Sequence, residues 1–164
     1  MLFRDSFSLA KKIHDSGYRP DLLLVLWRGG APVGMVVHEF FSYKGIELRQ
    51  IVIKAGSYSG IGKRGELSIE GMDDVLSSIK VDDKILVVDD IYDTGNTLKK
   101  VRELLLRRTQ NIRIATLYLK KGHDKGPDYY IREVKNWLVF PHELLGLSPA
   151  EIRRKDKYIH SLIV

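Results

Sequence analysis

The chain predicts an α/β protein, a parallel sheet with helices on both faces. Three observations carry that expectation. Two short apolar runs, Leu22 to Leu26 and Ile85 to Val88, have the continuous character of strands covered on both faces. Each is followed by a glycine-containing turn and then by apolar residues at helical spacing. Strand and helix alternate along the chain, which implies parallel pairing through right-handed crossovers.

The elements follow in order. Phe7, Leu9, Ala10 and Ile13 mark an opening helix that Gly17 ends. After the strand at Leu22, the turn Trp27-Arg28-Gly29-Gly30 leads into a second helix through Val33, Val36, Val37 and Phe40, closed by Gly45. Ile46 to Ile53 reads as the next strand. Lys54 to Ser68 lacks apolar periodicity and holds four glycines, so it reads as a mobile loop. Met72 to Ile79 predicts a short helix before the strand at Ile85. Leu98, Val101, Leu104 and Leu105 mark the following helix, and Ile112 to Leu119 the next strand. Beyond it the pattern turns irregular, with short apolar pieces at Tyr129 to Ile131 and Trp137 to Phe140. Ser148-Pro149-Ala150-Glu151 is a capping box with proline at the first helical position, opening one final helix.

With 164 residues and no internal repeat or linker, one domain over 1–164 is expected. Hydrophobic residues are 44% and charged residues 29%, ordinary for a globular protein. No apolar run approaches the ~18 residues of a membrane span, and the amino terminus lacks the order of a secretion signal. Without cysteine there is neither a disulfide framework nor a thiolate site. A cytoplasmic location is expected. The net charge of +6 fits either an anionic substrate or nucleic acid. Its densest run, Arg153-Arg154-Lys155, reads as a solvated helix face.

The segment Val87-Val88-Asp89-Asp90-Ile91-Tyr92-Asp93-Thr94-Gly95-Asn96-Thr97 carries the chemistry. Ligands of open α/β sheets bind beyond the carboxyl ends of the strands. Thr94 to Thr97, at a helix start, offer backbone N–H groups, two hydroxyls and the positive helix end, a phosphate cradle. Asp89 and Asp90 beside it suit sugar hydroxyls or, through Mg²⁺, a polyphosphate. Together they point to a phosphorylated sugar. A receiver domain also places paired acids after a strand, but near the start of the chain, whereas this pair lies past its middle.

This segment resembles the phosphoribosyl diphosphate (PRPP) signature of type I phosphoribosyltransferases. The resemblance covers roughly Leu22 to Glu143. It implies a Rossmann-like fold with a small irregular hood, here 120–145, and Mg²⁺-dependent transfer of phosphoribose to a base. By that resemblance Asp89 and Asp90 hold the ribose and a metal, Thr94, Gly95, Asn96 and Thr97 grip the 5′-phosphate, and Asp93 serves catalysis at the base. Arg28 and Gly29 would receive pyrophosphate in a loop with a cis Trp27–Arg28 peptide. Ser57 and Tyr58 belong to a stretch resembling the family's flexible lid. Lys120, Trp137 and Leu138 match the base-binding positions of 6-oxopurine enzymes, and the run NWLVFP is similar to the bacterial xanthine-guanine branch. Glu143 stands where the family often has a metal-side Asp. The implied partners are PRPP, a purine base, nucleoside monophosphate and pyrophosphate, with a homodimer or higher homo-oligomer and no nucleic acid. The alternatives are the same reaction on adenine or a pyrimidine, and a PRPP-sensing regulator that binds nucleic acid on the same fold.

Overall fold

The computed structural model describes residues 2–57, 67–122, 125–136, 138, 140, 143–144 and 146–164, and at 56, 57, 67 and 68 the backbone only. The elements in chain order are α1 (Leu2–Asp15), β1 (Leu22–Trp27), α2 (Gly30–Tyr43), β2 (Arg49–Ser57), β3 (Leu67–Glu70), α3 (Met72–Ser78), β4 (Ile85–Tyr92), α4 (Asn96–Leu105), β5 (Ile112–Lys120), β6 (Arg132–Val134), α5 (Pro149–Lys155) and α6 (Lys157–Ile163).

Six strands form one sheet in the order β3-β2-β1-β4-β5-β6. β1 pairs in parallel with β2 and β4, β4 with β5, and β5 with β6. β1 and the Ile85–Val88 part of β4 are apolar because both their faces are covered. On one face, Leu9 and Ile13 of α1 and Val33, Val37 and Phe41 of α2 pack over Leu23, Val25, Leu86 and Val88. On the other, Met72 and Val75 of α3 and Leu98, Val101 and Leu105 of α4 cover Leu24, Leu26, Ile85 and Val87. The α/β architecture read from the sequence is therefore present.

Three expectations need correction. The loop read over Lys54 to Ser68 is strand at both ends: β2 runs to Ser57, and β3 returns antiparallel with Lys54 opposite Glu70 and Ser57 opposite Leu67. So short a connection cannot carry the crossover that parallel pairing requires, so the edge is a hairpin. The remainder, 58–66, lies outside the described residues. β2 also starts at Arg49 rather than Ile46, because Ile46 donates its N–H to Phe41 O at 3.0 Å and packs on the α1/α2 core. The final helix is two. The capping box at Ser148 and Glu151 forms as expected, but Asp156 ends α5 and caps α6, accepting from the N–H groups of Tyr158 and Ile159 at 2.8 and 3.0 Å.

One link joins the amino terminus to the irregular carboxy-terminal part. Asp5 of α1 is buried, accepts from the Tyr118 hydroxyl at 2.8 Å, and pairs with Arg132 at 2.5 Å. Burial, then the Asp5 hydrogen bond, pushes the Tyr118 phenol up to about 12, so it donates as the neutral form. Asp5→Ala leaves that buried hydroxyl without its acceptor. A loss of about 1–3 kcal/mol is expected in urea unfolding; a midpoint unchanged from wild type would show that the link carries no stability.

Candidate functional site

The site arises from an offset between neighbouring strands. β1 pairs with β4 only as far as Val25 opposite Val88. β4 continues to Tyr92 alongside β5, with Asp89 opposite Thr116 and Tyr92 opposite Leu119. The two aspartates therefore lie in the strand itself and not, as the sequence reading had it, after the strand's end. They stand beyond the end of the β1 pairing, facing the turn Trp27-Arg28-Gly29.

That turn has the expected cis peptide between Trp27 and Arg28. Gly29 lies so close to Asp90 that a Cβ there would fall 2.5 Å from the carboxyl carbon. A cavity of about 250 Å³ is lined by Arg28, Gly29, Asp89, Asp90, Thr97 and Glu143, with Ala55 at its side. The sequence reading missed Ala55. The β1–β2 register, with Trp27 opposite Lys54, would have placed it once β2 is extended to Ser57.

Burial pushes both carboxyls toward the neutral form. For Asp89 the neighbouring Asp90 charge adds to burial, and its pKa is held well above the ordinary value. Asp90 is pushed up to about 6, first by burial, with the Glu143 charge contributing. Asp90 N–H donates to Asp89 Oδ1 at 2.9 Å. Two adjacent carboxylates, Asp90 buried and Asp89 half-buried, suit a hard cation such as Mg²⁺, which takes one or two protein carboxylates and completes its shell with water and substrate phosphate. Among the described residues no three side chains converge as a metal-holding group.

The second part of the site is the start of α4. Gly95 is its N-cap, with φ +73° and no side-chain cap. Only a glycine fits, since a Cβ would lie 2.2 Å from the Tyr92 ring. Asn96 N–H reaches the Thr94 hydroxyl only at 3.4 Å, and the helix start adjoins a cavity of about 90 Å³ lined by Asp93, Thr94, Gly95, Asn96 and Thr97 with Asp89 and Ile91. Thr97 lines both cavities and so joins them.

The third part lies at the end of β5. Lys120 Nζ stands 2.6 Å from Asp93 Oδ1, and both side chains are about a third exposed. Lys121 points elsewhere, toward Glu133 at 3.9 Å. Leu138 packs half-buried against the α1/α2 side of the core. Trp137 and Tyr58 lie outside the described residues, and Ser57 is described only as the last residue of β2. The structure thus brings together Arg28, Gly29, Asp89, Asp90, Glu143 and Thr97, then Asp93 to Asn96, then Lys120.

The aspartates set a pH dependence. Because the folded pKa of Asp90 is raised, its contribution to stability is full below about pH 4 and is lost as pH rises through about 6. In metal-free buffer Asp90→Asn is expected to be more stable than wild type at pH 7, by about 3 kcal/mol. That gain should vanish below pH 4. Thermal unfolding from pH 4 to 8 measures it; a constant gap across the range would show that ionisation of Asp90 is not what destabilises the fold.

Comparisons with known proteins give the same reading of this architecture. The chain is 32% identical over 144 residues to a hypoxanthine-guanine phosphoribosyltransferase of Lactococcus lactis, covering 84% of this chain and 73% of that protein. Its fold matches the crystal structure of a purine phosphoribosyltransferase from Pyrococcus horikoshii with a TM-score of 0.67 and 30% identity, over 88% of this chain and 90% of that one. It also matches a xanthine-guanine-hypoxanthine phosphoribosyltransferase of Helicobacter pylori with a TM-score of 0.67 and 26% identity, over 96% and 93% of the two chains. The family model for the phosphoribosyl transferase domain matches residues 2–145. Taken with paired acids at the end of the central strand and an uncapped helix start beside them, this places the chain in the phosphoribosyltransferase family.

Proposed function

We propose that the protein is a purine-salvage enzyme that moves the 5-phosphoribosyl group from PRPP to a 6-oxopurine: guanine, hypoxanthine or xanthine. The products are the nucleoside 5′-monophosphate and pyrophosphate. The observation that carries this reading is the Lys120–Asp93 pair at 2.6 Å beside the open start of α4. It sets a cation that donates and a carboxylate that accepts next to a phosphate cradle. A 6-oxopurine offers the complement, an acceptor at O6 and a proton on the ring nitrogens. Adenine presents a donor at its 6-position and so suits Lys120 poorly. The purine enzymes to which the chain is similar support the same substrate class.

The roles follow from position. The amides and hydroxyls of Thr94, Gly95, Asn96 and Thr97 hold the 5′-phosphate. Asp89 and Asp90 hold the ribose hydroxyls. Arg28 and the Gly29 backbone receive the pyrophosphate. Trp137 stacks on the base, the Leu138 backbone reads its edge, and Ser57 and Tyr58 belong to the closing lid. Mg²⁺, held by Asp89 and Asp90 with Glu143 nearby, neutralises phosphate charge when bound. The bond from C1′ to pyrophosphate oxygen breaks and the bond from C1′ to base nitrogen forms. Asp93 takes the proton the base gives up, and Lys120 holds O6. Most of the acceleration is positioning and electrostatic stabilisation of the ribosyl cation and departing pyrophosphate. Water must be kept from that cation, the role assigned to the lid. The enzyme acts in the cytoplasm as a homodimer or higher homo-oligomer; among the described residues no helix is long and apolar enough to cross a membrane.

A panel of bases with PRPP and Mg²⁺, followed by pyrophosphate release, tests the reading. Turnover with guanine, hypoxanthine or xanthine and little with adenine or pyrimidines is expected. Preference for adenine would overturn the base assignment. An inert protein that binds RNA or DNA with steep salt dependence would instead be a regulator. Lys120→Ala should lower kcat/KM for 6-oxopurines by about 10–100-fold, the cost of about 1–3 kcal/mol for an unpaired partner. Lys121→Ala should stay near wild type, since its side chain faces Glu133; the reverse order would move the base pocket. Asp93→Asn should lower kcat by ~10²–10⁴ while the KM for PRPP changes little. A defect confined to PRPP binding would reassign Asp93 to the ribose.

A further inference from the structure

Lys155 belongs to a run that reads, in sequence, as a solvated basic face. The structure departs from that reading. Lys155 is half-buried, and its ammonium donates to two backbone carbonyls, Phe140 O and Glu143 O. These are charge-assisted bonds, the stronger kind. They close a turn that is already tied across itself. Glu143 N–H donates to Phe140 O at 3.1 Å, and Phe140 N–H donates to Glu143 Oε2 at 3.1 Å. Glu143 then lines the cavity shared by Arg28, Gly29, Asp89 and Asp90, near enough for its charge to help raise Asp90.

The same turn is held from its other side. Phe140 is buried and its ring lies 5.8 Å from that of Tyr118, whose hydroxyl is fixed by Asp5. The segment carrying Glu143 is thus held between β5 and α5. α5 is placed firmly enough to serve as an anchor: it starts at the Ser148–Glu151 capping box and buries Ile152. Glu143 itself lies in no strand or helix, and like charge opposes its approach to Asp89 and Asp90, so contacts from elsewhere in the chain must hold it there.

We propose that Lys155 is a positioning residue, which ties Phe140 and Glu143 together through their carbonyls and thereby holds Glu143 at the cavity where PRPP binds. The functional half of this inference rests on the activity proposed above. The carboxy-terminal helices are then part of the site's support. An ammonium is suited to this task because it can donate to both carbonyls at once from one flexible stem.

The test compares Lys155→Met, which keeps most of the stem and removes the donors, with Lys155→Arg, which keeps them. Hydrogen exchange is read in the ligand-free protein at the amides of Phe140 and Glu143, with core amides of β4 as the control. PRPP kinetics are read alongside. In Lys155→Met the two turn amides should exchange about tenfold faster while β4 is unchanged. The KM for PRPP should rise at least about tenfold with kcat within about twofold, the sign of lost binding rather than lost chemistry. Lys155→Arg should restore both readouts. Unchanged exchange at the turn in Lys155→Met overturns the anchor. Faster exchange with an unchanged KM overturns its link to the site. If Lys155→Met does not fold, Lys155→Gln is judged by the same two criteria. If the wild type turns over no base, the proposed activity fails, and exchange alone decides the anchor.

Discussion

The structure depends on β4 being longer than its neighbour β1. A central strand needs partners on both edges, and up to Val88 it has them. Beyond Val88 only β5 remains, and the backbone of the next residues faces a crevice. Placing Asp89 and Asp90 there puts two carboxyls at the one point of the sheet that is structurally secure yet open to a ligand. The turn after β1 and the start of α4 bound the crevice from either side, giving two cavities that meet at Thr97.

That placement is unfavourable for the fold alone. Burial and mutual repulsion hold both carboxyls above their ordinary pKa. The start of α4 has the opposite sign: Gly95 supplies no side-chain cap and the Thr94 hydroxyl gives Asn96 N–H a long 3.4 Å contact, so the positive end of the helix has no charged acceptor. The substrate proposed above, with a phosphate at one end and a diphosphate that could carry Mg²⁺ at the other, would satisfy both. The apolar layers on either face of the sheet, such as Phe41 and Leu23 on one side and Leu105 and Leu24 on the other, supply the stability that lets the site remain unsatisfied until ligand arrives.

The irregular part of the chain is held by polar links as well as by core contacts of Tyr129, Ile131, Val134, Leu138 and Phe140. β6 has only three residues, and neither Leu138 nor Phe140 lies in a strand or helix. Its attachments are Asp5 through Tyr118 and Arg132, the Phe140 ring on Tyr118, and Lys155 on two carbonyls.

Local patterns were legible in the sequence because they need only a few adjacent residues. The apolar runs at Leu22 and Ile85, the helical spacing after Leu98, the Ser148 box and the loop from Asp93 to Thr97 each carry their own geometry, and each is found where the sequence places it. Arg28, Asp89, Asp90 and Thr97 could be assigned to one crevice because parallel strands end on one side of a sheet. What tertiary structure alone decided are relations between distant residues. The antiparallel edge of β3, the extension of β2 to Ser57, the meeting of Asp5 with Arg132, the choice of Lys120 over Lys121 by Asp93, and the turning inward of Lys155 all depend on three-dimensional register. A charged residue looks the same in sequence whether water or a carbonyl 12 positions away accepts its hydrogen bond, and only packing makes that choice.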